Sequence, residues 1–305
     1  MSDAPTGPSR LARPNGQKPR QPTTSAPVVD AHHHVWDLSV RDQDWITGPA
    51  MAPIRRNFTV ADLAPEARAA GVGATVLVQT VTVPEETPEF LALADTNELI
   101  AGVVGWTDIT APDVADTLAA LRALPGGDKL VGIRHQVQGE PDPEWLLRPD
   151  VQHGLAAVAA AGLAYDLIVL PHQLPAATAV AALLPQLTFV LDHLGKPPIA
   201  SGGLDPWAGH IRALAARPNV VCKLSGMVTE AEWDSWTADT LRPYTETVLD
   251  AFGSARLMFG SDWPVCRLAA TYGEVVDVTR ALTADLSGNE RRAVFGGTAT
   301  TVYGL

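Results

Sequence analysis

The sequence predicts a single α/β domain folded as a (β/α)8 TIM barrel, preceded by a disordered N-terminal tail. Short apolar segments rich in β-branched residues alternate with longer Ala- and Leu-rich segments, and the alternation repeats eight times. The apolar segments are nearly continuous, which is typical of parallel strands buried on both faces. A chain of 305 residues also has room for such a barrel, which commonly takes about 250 residues. A doubly wound open sheet is the alternative that this pattern allows.

Each strand is predicted from its own apolar stretch. The first carries VVDAHHHVW and the last carries LMFGSDWPV, so both run from apolar residues into polar ones. Helices are predicted between strands where Ala and Leu recur before a Gly or Pro, because these two residues end helices. The predicted strands are 28–36, 73–80, 100–109, 130–138, 163–170, 187–195, 219–226 and 257–265. The predicted helices include 63–70, 113–123, 152–161, 176–184, 207–216 and 242–252.

Residues 1–26 differ in composition from the remainder of the chain. They contain five prolines, several Ser, Thr and Gly and no apolar run, so they predict a disordered tail with the barrel at 27–305. The tail holds four basic residues and one acidic residue, against 22 and 34 in the whole chain. The barrel therefore carries 18 basic and 33 acidic residues, a net charge of −15.

This acidic charge disfavours nucleic acid and anionic membranes as partners, because both are themselves negatively charged. No segment has the continuous apolar run of a secretion signal or a membrane span. The two cysteines, Cys222 and Cys266, are too few for a disulfide framework and fit a reducing compartment. We therefore expect a cytoplasmic protein with a small-molecule substrate. The sequence does not indicate an oligomeric state.

Polar side chains gather at the ends of the predicted strands, where a (β/α)8 barrel carries its active site. In VVDAHHHVWD, His32 and His34 point to the same side of the first strand because strand side chains alternate. Two imidazoles on one face can bind a divalent ion such as zinc, whose catalytic sites commonly use three protein ligands and an open position. His193 on the sixth strand and Asp262 on the eighth are predicted to complete this set.

Each of these residues also has an ordinary structural explanation. The histidine pair can be a polar strand tip, His193 can be a buried core histidine, and Asp262 can cap the turn before Pro264. Their shared position at strand ends favours a common site instead. A carboxylate beside positive charge stays ionised, so Asp262 is predicted to be the general base.

Further strand-end residues are predicted to bind the substrate. Arg134 and Lys223 point toward the same mouth and can polarise a carbonyl or hold hydroxyl groups. Pairing with barrel carboxylates such as Asp30 or Asp108 is the alternative for these cations. Trp45 and Trp233 receive no specific role. The predicted substrate-binding set is Trp36, Arg134, Gln136, His172, Lys196 and Lys223.

With these residues in place, the chain resembles the lactonase branch of the amidohydrolase superfamily, which contains the L-fuconolactone and L-rhamnonolactone hydrolases. The matching segments run in order from residue 28 to Leu305. The resemblance implies that Asp262 is the water-activating base and that Arg134, Lys196 and His172 lie near the substrate. It also implies that His32, His34, His193 and Asp262 form the core polar set. The segments are VVDAHHHVWD, VGIRHQVQGEPDPEWL, GLAYDLIVLPHQLP, FVLDHLGKPPI, NVVCKLSGMVTEAEW and RLMFGSDWPVC.

The resemblance also bears on the metal. Larger relatives in the superfamily hold two metal ions with a carboxylated lysine on the fourth strand, where this chain has Arg134. One divalent ion, zinc or manganese, is therefore expected. The branch also includes lactonases that work without metal, their histidines binding the substrate directly, so metal-free catalysis stays open.

The resulting hypothesis is a hydrolase in which water deprotonated by Asp262 attacks a lactone carbonyl lying over His32, His34 and His193. A single strand-end arginine among mixed donors favours a neutral sugar lactone over a dicarboxylate lactone from aromatic degradation. A metal-dependent decarboxylase on a related barrel and a non-catalytic binding protein also stay open.

Overall fold

The computed structural model describes Met1 and residues 27–305 and contains one sheet of eight parallel strands. Its strands follow one another around the sheet in sequence order, as a (β/α)8 barrel requires. The predicted tail falls outside the described residues apart from Met1. The strands are β1 Val28–His33, β2 Val72–Val78, β3 Ile100–Gly105, β4 Leu130–His135, β5 Ala164–Leu167, β6 Phe189–Leu191, β7 Val220–Leu224 and β8 Leu257–Phe259.

An α-helix follows each strand, and two short helices end the chain. Four helices begin at a Ser or Thr in a capping box, in which the side chain accepts a backbone N–H of the first turn; these residues are Thr59, Thr237, Thr271 and Ser287. The helices are α1 Val60–Ala69, α2 Glu86–Asp95, α3 Val114–Arg122, α4 Pro149–Ala160, α5 Leu174–Leu183, α6 Trp207–Ala215, α7 Ala238–Phe252, α8 Tyr272–Leu282, α9 Gly288–Arg292 and α10 Thr298–Tyr303.

The barrel closes between β1 and the segment that follows β8. His34 N donates a hydrogen bond to Trp263 O at 2.7 Å, and Asp262 N donates to His32 O at 2.8 Å. These backbone bonds place the segment that follows β8 beside His32 and His34. The closure of the barrel therefore brings together residues that are 230 positions apart in the chain.

An irregularity in β1 helps to aim its histidines. Between Asp30 and His33 this strand advances three residues while its partner β2 advances two, so β1 contains one extra residue. Such a bulge redirects the side chains that follow it. Ala31 packs in the core inside the barrel, and His32 and His34 reach the upper end of the same interior.

Two hydrophobic cores hold the barrel together. The larger one lies between the strands and the surrounding helices, and the smaller one lies inside the barrel. Ala299 and Tyr303 of α10 pack against this inner core. Polar residues lie beyond the two cores, where the strands end.

The predicted fold class is confirmed, and all eight predicted strands are present. Every strand ends before its predicted end, because several of the polar residues predicted at strand ends, such as Gln79, His193 and Asp262, belong to loops and 3-10 turns. The sequence pattern predicts a helix after each strand, but it gave no bounds for α2 and α8. The sequence of α8, YGEVVDVTRAL, is rich in β-branched residues of low helix propensity, and packing of its buried face overrides that preference. Among the described residues, no helix is long and apolar enough to cross a membrane.

Candidate active site

Four predicted side chains meet where the barrel closes. Asp262 Oδ1 lies 3.5 Å from His34 Nε2, 3.8 Å from His32 Nε2 and 3.9 Å from His193 Nε2. The Nε2 atoms of His32 and His34 are 3.1 Å apart. All four residues are at most 5% exposed, and the cluster lies at the base of an open cavity.

Local backbone geometry aims two members of this cluster. His193 and Asp262 have φ values of 51° and 56°, in the left-handed region that costs non-glycine residues free energy. Such strain is common at functional sites. Two glycines make room for the rings. A Cβ at Gly226 would come within 2.7 Å of the His193 ring, and a Cβ at Gly260 would come within 2.8 Å of His32 Cβ.

Hydrogen bonds orient two of the imidazoles. His34 Nδ1 lies 2.7 Å from Val78 O, and because a carbonyl only accepts, Nδ1 carries the hydrogen. Nε2 of His34 therefore faces the cluster. His193 Nδ1 lies 2.9 Å from Ser225 Oγ, which leaves its Nε2 facing Asp262.

Burial sets the charge state of the cluster. It lowers the pKa of His32 well below its ordinary value and lowers the pKa of His193 to about 4. Burial acts to raise the pKa of Asp262, but His193 and His34 outweigh it, so the pKa of this carboxyl lies below its ordinary value. At neutral pH the Asp262 carboxylate is therefore ionised, and the imidazoles of His32 and His193 are neutral. These are the protonation states that a general base and metal ligands need.

The donor set fits a divalent ion. One ligand atom each from His32, His193 and Asp262 lie within 4.8 Å of one another, and His34 Nε2 adjoins them. In a tetrahedral site with bonds of about 2.0–2.1 Å, neighbouring ligand atoms are about 3.3 Å apart. Four of the pairwise separations, those of Asp262 Oδ1 from the three imidazoles and that between His32 and His34, run from 3.1 to 3.9 Å and bracket that value. Three imidazoles and a carboxylate are ligands that suit zinc and similar ions.

A cavity of about 690 Å³ opens above the cluster. His34, His193 and Asp262 lie at its base, and its walls come from the loops that follow the strands. Trp45 and Trp233 supply aromatic surface, and Asp42, Asp44, Thr80 and Gln138 supply polar groups. This size and mixture of surfaces suit a small, polar organic molecule.

Three of the residues predicted to bind substrate lie on the cavity wall, namely Arg134, Gln136 and Lys196. The structure does not bring the other three there. Trp36 is buried against Trp45 and Phe58, with its Nε1 donating to Arg56 O at 2.7 Å. His172 is exposed, in a turn after β5. Lys223 is fully buried beneath the histidines.

Carboxylates hold the predicted cations, although not the ones the sequence suggested. Arg134 Nη1 lies 2.9 Å from Asp192 Oδ2, and Lys223 Nζ lies 2.5 Å from Asp166 Oδ2 and 2.9 Å from Asp192 Oδ1. We call Arg134, Asp166, Asp192 and Lys223 the buried ion network. Asp30 instead accepts a hydrogen bond from Ser261 N at 2.8 Å, at the seam of the barrel.

Several cavity residues received no role from the sequence. Trp45 follows β1 and Trp233 follows β7, so their place in loops after strands was the available signal. Glu230, whose Oε1 lies 2.7 Å from Lys196 Nζ, carries no motif that would single it out. Asp192 stands at a strand end without a function evident from the sequence, and only the structure shows that it joins Arg134 to Lys223.

Comparisons with known proteins identify relatives that match this chain over most of its length. The L-fucono-1,5-lactonase of Burkholderia multivorans is 42% identical over 288 residues, which cover 91% of this chain and 96% of the relative. The L-fucono-1,5-lactonase of Burkholderia ambifaria is 39% identical over 281 residues, which cover 90% and 94%.

A crystal structure of an amidohydrolase from Burkholderia multivorans with bound zinc has a TM-score of 0.87 and 40% identity, and it covers 92% of this chain and 100% of that one. The profile of the amidohydrolase family matches residues 29–305. The predicted resemblance and the prediction of a hydrolytic enzyme are thereby confirmed. The chain belongs to the amidohydrolase family.

Proposed function

We propose that this protein opens a sugar-acid lactone by hydrolysis, with Asp262 as general base. The observation that carries the proposal is the position of the Asp262 carboxylate, 3.5 to 3.9 Å from three imidazoles at the base of the cavity. A carboxylate there is within reach of a water and of a carbonyl held over the histidines. The naming of two relatives as L-fucono-1,5-lactonases supports an aldonolactone as the substrate.

The reaction needs one proton acceptor that later returns the proton. Asp262 takes a proton from water as the water oxygen attacks the lactone carbonyl carbon, giving a tetrahedral intermediate. Collapse of the intermediate breaks the bond between the carbonyl carbon and the ring oxygen. Asp262 then gives the proton to that oxygen, and the product is the open hydroxy acid. His193 and His34 lie beside the reacting carbonyl, where their positions orient it.

A divalent ion, zinc or manganese, would be held by His32, His34, His193 and Asp262. When bound, such an ion would act as a Lewis acid toward the lactone carbonyl and would lower the pKa of a water beside it. The zinc bound to the structurally similar amidohydrolase supports this part of the proposal. The rest of the chemistry depends on the protein's own residues.

The charges on the cavity wall favour a neutral substrate. Each cation of the wall already has a carboxylate partner, while Asp42 and Asp44 add negative charge to the same wall. A dicarboxylate lactone would need free cations for two carboxylates, and an aromatic carboxylic acid would need one. Arg134, Gln136 and Lys196 are proposed to bind substrate hydroxyl groups. The three ion pairs are Arg41–Glu89 at 3.0 Å, Arg134–Asp192 at 2.9 Å and Lys196–Glu230 at 2.7 Å.

A substrate panel tests the proposal. Aldonolactones, 2-pyrone dicarboxylate lactones and aromatic carboxylic acids are assayed with the same preparation, by proton release for ring opening and by carbon dioxide release for decarboxylation. We expect turnover of aldonolactones only. Release of carbon dioxide, or preferential opening of the dicarboxylate lactone, would contradict the proposal. Binding of the lactones without turnover of any compound would support a non-catalytic protein.

Metal content is measured on the same protein. We expect up to one equivalent of zinc or manganese, lost in the His32→Ala/His34→Ala variant and retained in His153→Ala, which changes an exposed histidine of α4. Full activity after chelation, with no metal by elemental analysis, would overturn the metal-assisted version. It would leave catalysis by the imidazoles and Asp262.

A further inference from the structure

Lys223 lies at the end of β7, and its ammonium group makes three short contacts. Its Nζ lies 2.5 Å from Asp166 Oδ2, 2.9 Å from Asp192 Oδ1 and 3.1 Å from His32 Nδ1. An ammonium group has three hydrogens and no acceptor. Asp166 Oδ2 accepts one of these hydrogens, whereas Asp192 Oδ1 is an ion-pair contact without a hydrogen bond. The contact with His32 Nδ1 has the geometry of a hydrogen bond, and a donated hydrogen there requires a lone pair on Nδ1. A neutral imidazole with a lone pair on Nδ1 carries its hydrogen on Nε2.

The opposite side of His32 leads to the same tautomer. His34 carries its hydrogen on Nδ1, which lies 2.7 Å from Val78 O, so its Nε2 presents a lone pair. His32 Nε2 is 3.1 Å from that lone pair. A hydrogen on His32 Nε2 completes a chain of hydrogen bonds that runs from Lys223 through His32 and His34 to Val78 O.

The second tautomer of His32 also has supports. With the hydrogen on Nδ1, the ring faces Asp192 Oδ1 at 3.3 Å, and its Nε2 lone pair faces Arg134 Nη1 at 3.3 Å. Lys223 then loses one acceptor in a fully buried position, which is costly. The Nε2 lone pairs of His32 and His34 also face each other at 3.1 Å. Two lone pairs that face each other repel in the metal-free protein, but the same arrangement is favourable when both lone pairs coordinate one cation.

We propose that Lys223 and Asp192 are positioning residues that select the tautomer of His32. Lys223 holds the form with hydrogen on Nε2 in the metal-free protein, and Asp192 holds the form with hydrogen on Nδ1 when a divalent ion binds Nε2. Both forms carry the same number of protons, so the selection is not a titration. Lys223 therefore weakens ion binding and Asp192 strengthens it. This inference rests on the proposed ligand set and does not depend on the identity of the lactone.

Nitrogen-15 NMR of histidine-labelled protein tests the tautomer directly. The signals of His32 are assigned by their loss in His32→Gln. In chelator-treated wild-type protein we expect a protonated Nε2 and an unprotonated Nδ1. After addition of zinc we expect the hydrogen on Nδ1. These spectra report on His32 whether or not the protein hydrolyses a lactone, so failure of the inference is distinguishable from failure of the proposed function.

Two variants distinguish the effect of the Lys223–His32 contact from the effect of changing the net charge of the buried ion network. In Lys223→Met, metal-free His32 should carry its hydrogen on Nδ1. The zinc Kd should fall roughly 10-fold, because residues that hydrogen-bond to a metal ligand typically change metal affinity by about that factor. Asp166→Asn keeps the contact between Lys223 and His32, so the wild-type tautomer should remain. If Lys223→Met does not fold, the Asp166→Asn/Lys223→Met variant removes one charge of each sign and serves in its place.

Asp192 is tested by its amide variant. In Asp192→Asn the zinc Kd should rise roughly 10- to 100-fold, because a neutral amide supports the metal-bound ring less well than a carboxylate. A hydrogen on His32 Nδ1 in metal-free wild-type protein would overturn the inference. An unchanged tautomer and zinc Kd after loss of Lys223 would also overturn it, as would equal effects of Asp192→Asn and Asp166→Asn on zinc affinity.

Discussion

Two polar layers at the same end of the barrel differ in how well their charges are matched. In the cavity layer, Asp262 Oδ1 has its imidazole neighbours at 3.5 to 3.9 Å, beyond ordinary hydrogen-bond length. In the buried ion network, carboxylate and cation atoms are separated by 2.5 to 2.9 Å. The loosely satisfied layer has capacity for a substrate, a water or an ion. In the closely paired layer each charged group has an opposite charge within 2.9 Å, and Asp166, Asp192 and Lys223 are fully buried, so these three residues support the layer above.

The largest expected effect comes from the cavity layer. Asp262→Asn keeps the size of the side chain and removes the proton acceptor. The protein should fold, and turnover should fall by a factor of about 10² to 10⁴, the usual contribution of a positioned base. Steady-state kinetics with circular dichroism of the same preparation measures both. Near-normal turnover in a folded Asp262→Asn protein would show that another group, with His193 the first candidate, acts as the base.

The buried ion network and the Lys196–Glu230 pair of the cavity wall should respond differently to loss of their lysine. Lys223→Met leaves Asp166 and Asp192 short of a buried partner, and breaking a buried ion pair typically costs about 3–5 kcal/mol. Lys196→Met breaks a half-exposed pair with Glu230, and such pairs contribute about 0–1 kcal/mol. Urea unfolding of both variants measures the difference in the free energy of unfolding. Similar losses in the two would remove the distinction between the layers.

A glycine variant tests how much turnover depends on the exact position of the His193 ring. An alanine at Gly226 would bring its Cβ within 2.7 Å of the His193 ring, and a displacement of about 1 Å can cost about 10²-fold in rate. Gly162→Ala is the control, because Gly162 also has positive φ but has nothing within 4 Å of an added Cβ. Both changes should cost about 1–2 kcal/mol of stability through backbone strain. Turnover should fall only in Gly226→Ala, and an equal fall in both would contradict the packing argument.

Residues with strong local signals were predictable from the sequence. His32 and His34 share a face because side chains alternate along extended chain, and Asp262 follows the apolar strand β8. Their meeting follows from the geometry of any closed barrel of eight strands. The ends of the strands were less predictable, since hydrogen bonding between neighbours, and not the apolar pattern of one segment, decides where pairing stops.

The sequence by itself determined the barrel, its family and the residue types at the strand ends, because the periodicity and the motifs are local properties of the chain. Only the tertiary structure decided the depth of each polar residue. Arg134, Lys196 and Lys223 look alike as strand-end cations, yet Lys196 and Arg134 line the cavity and Lys223 lies fully buried against two carboxylates. Depth depends on which distant side chains fill the barrel, and alternation along a single strand carries no information about them.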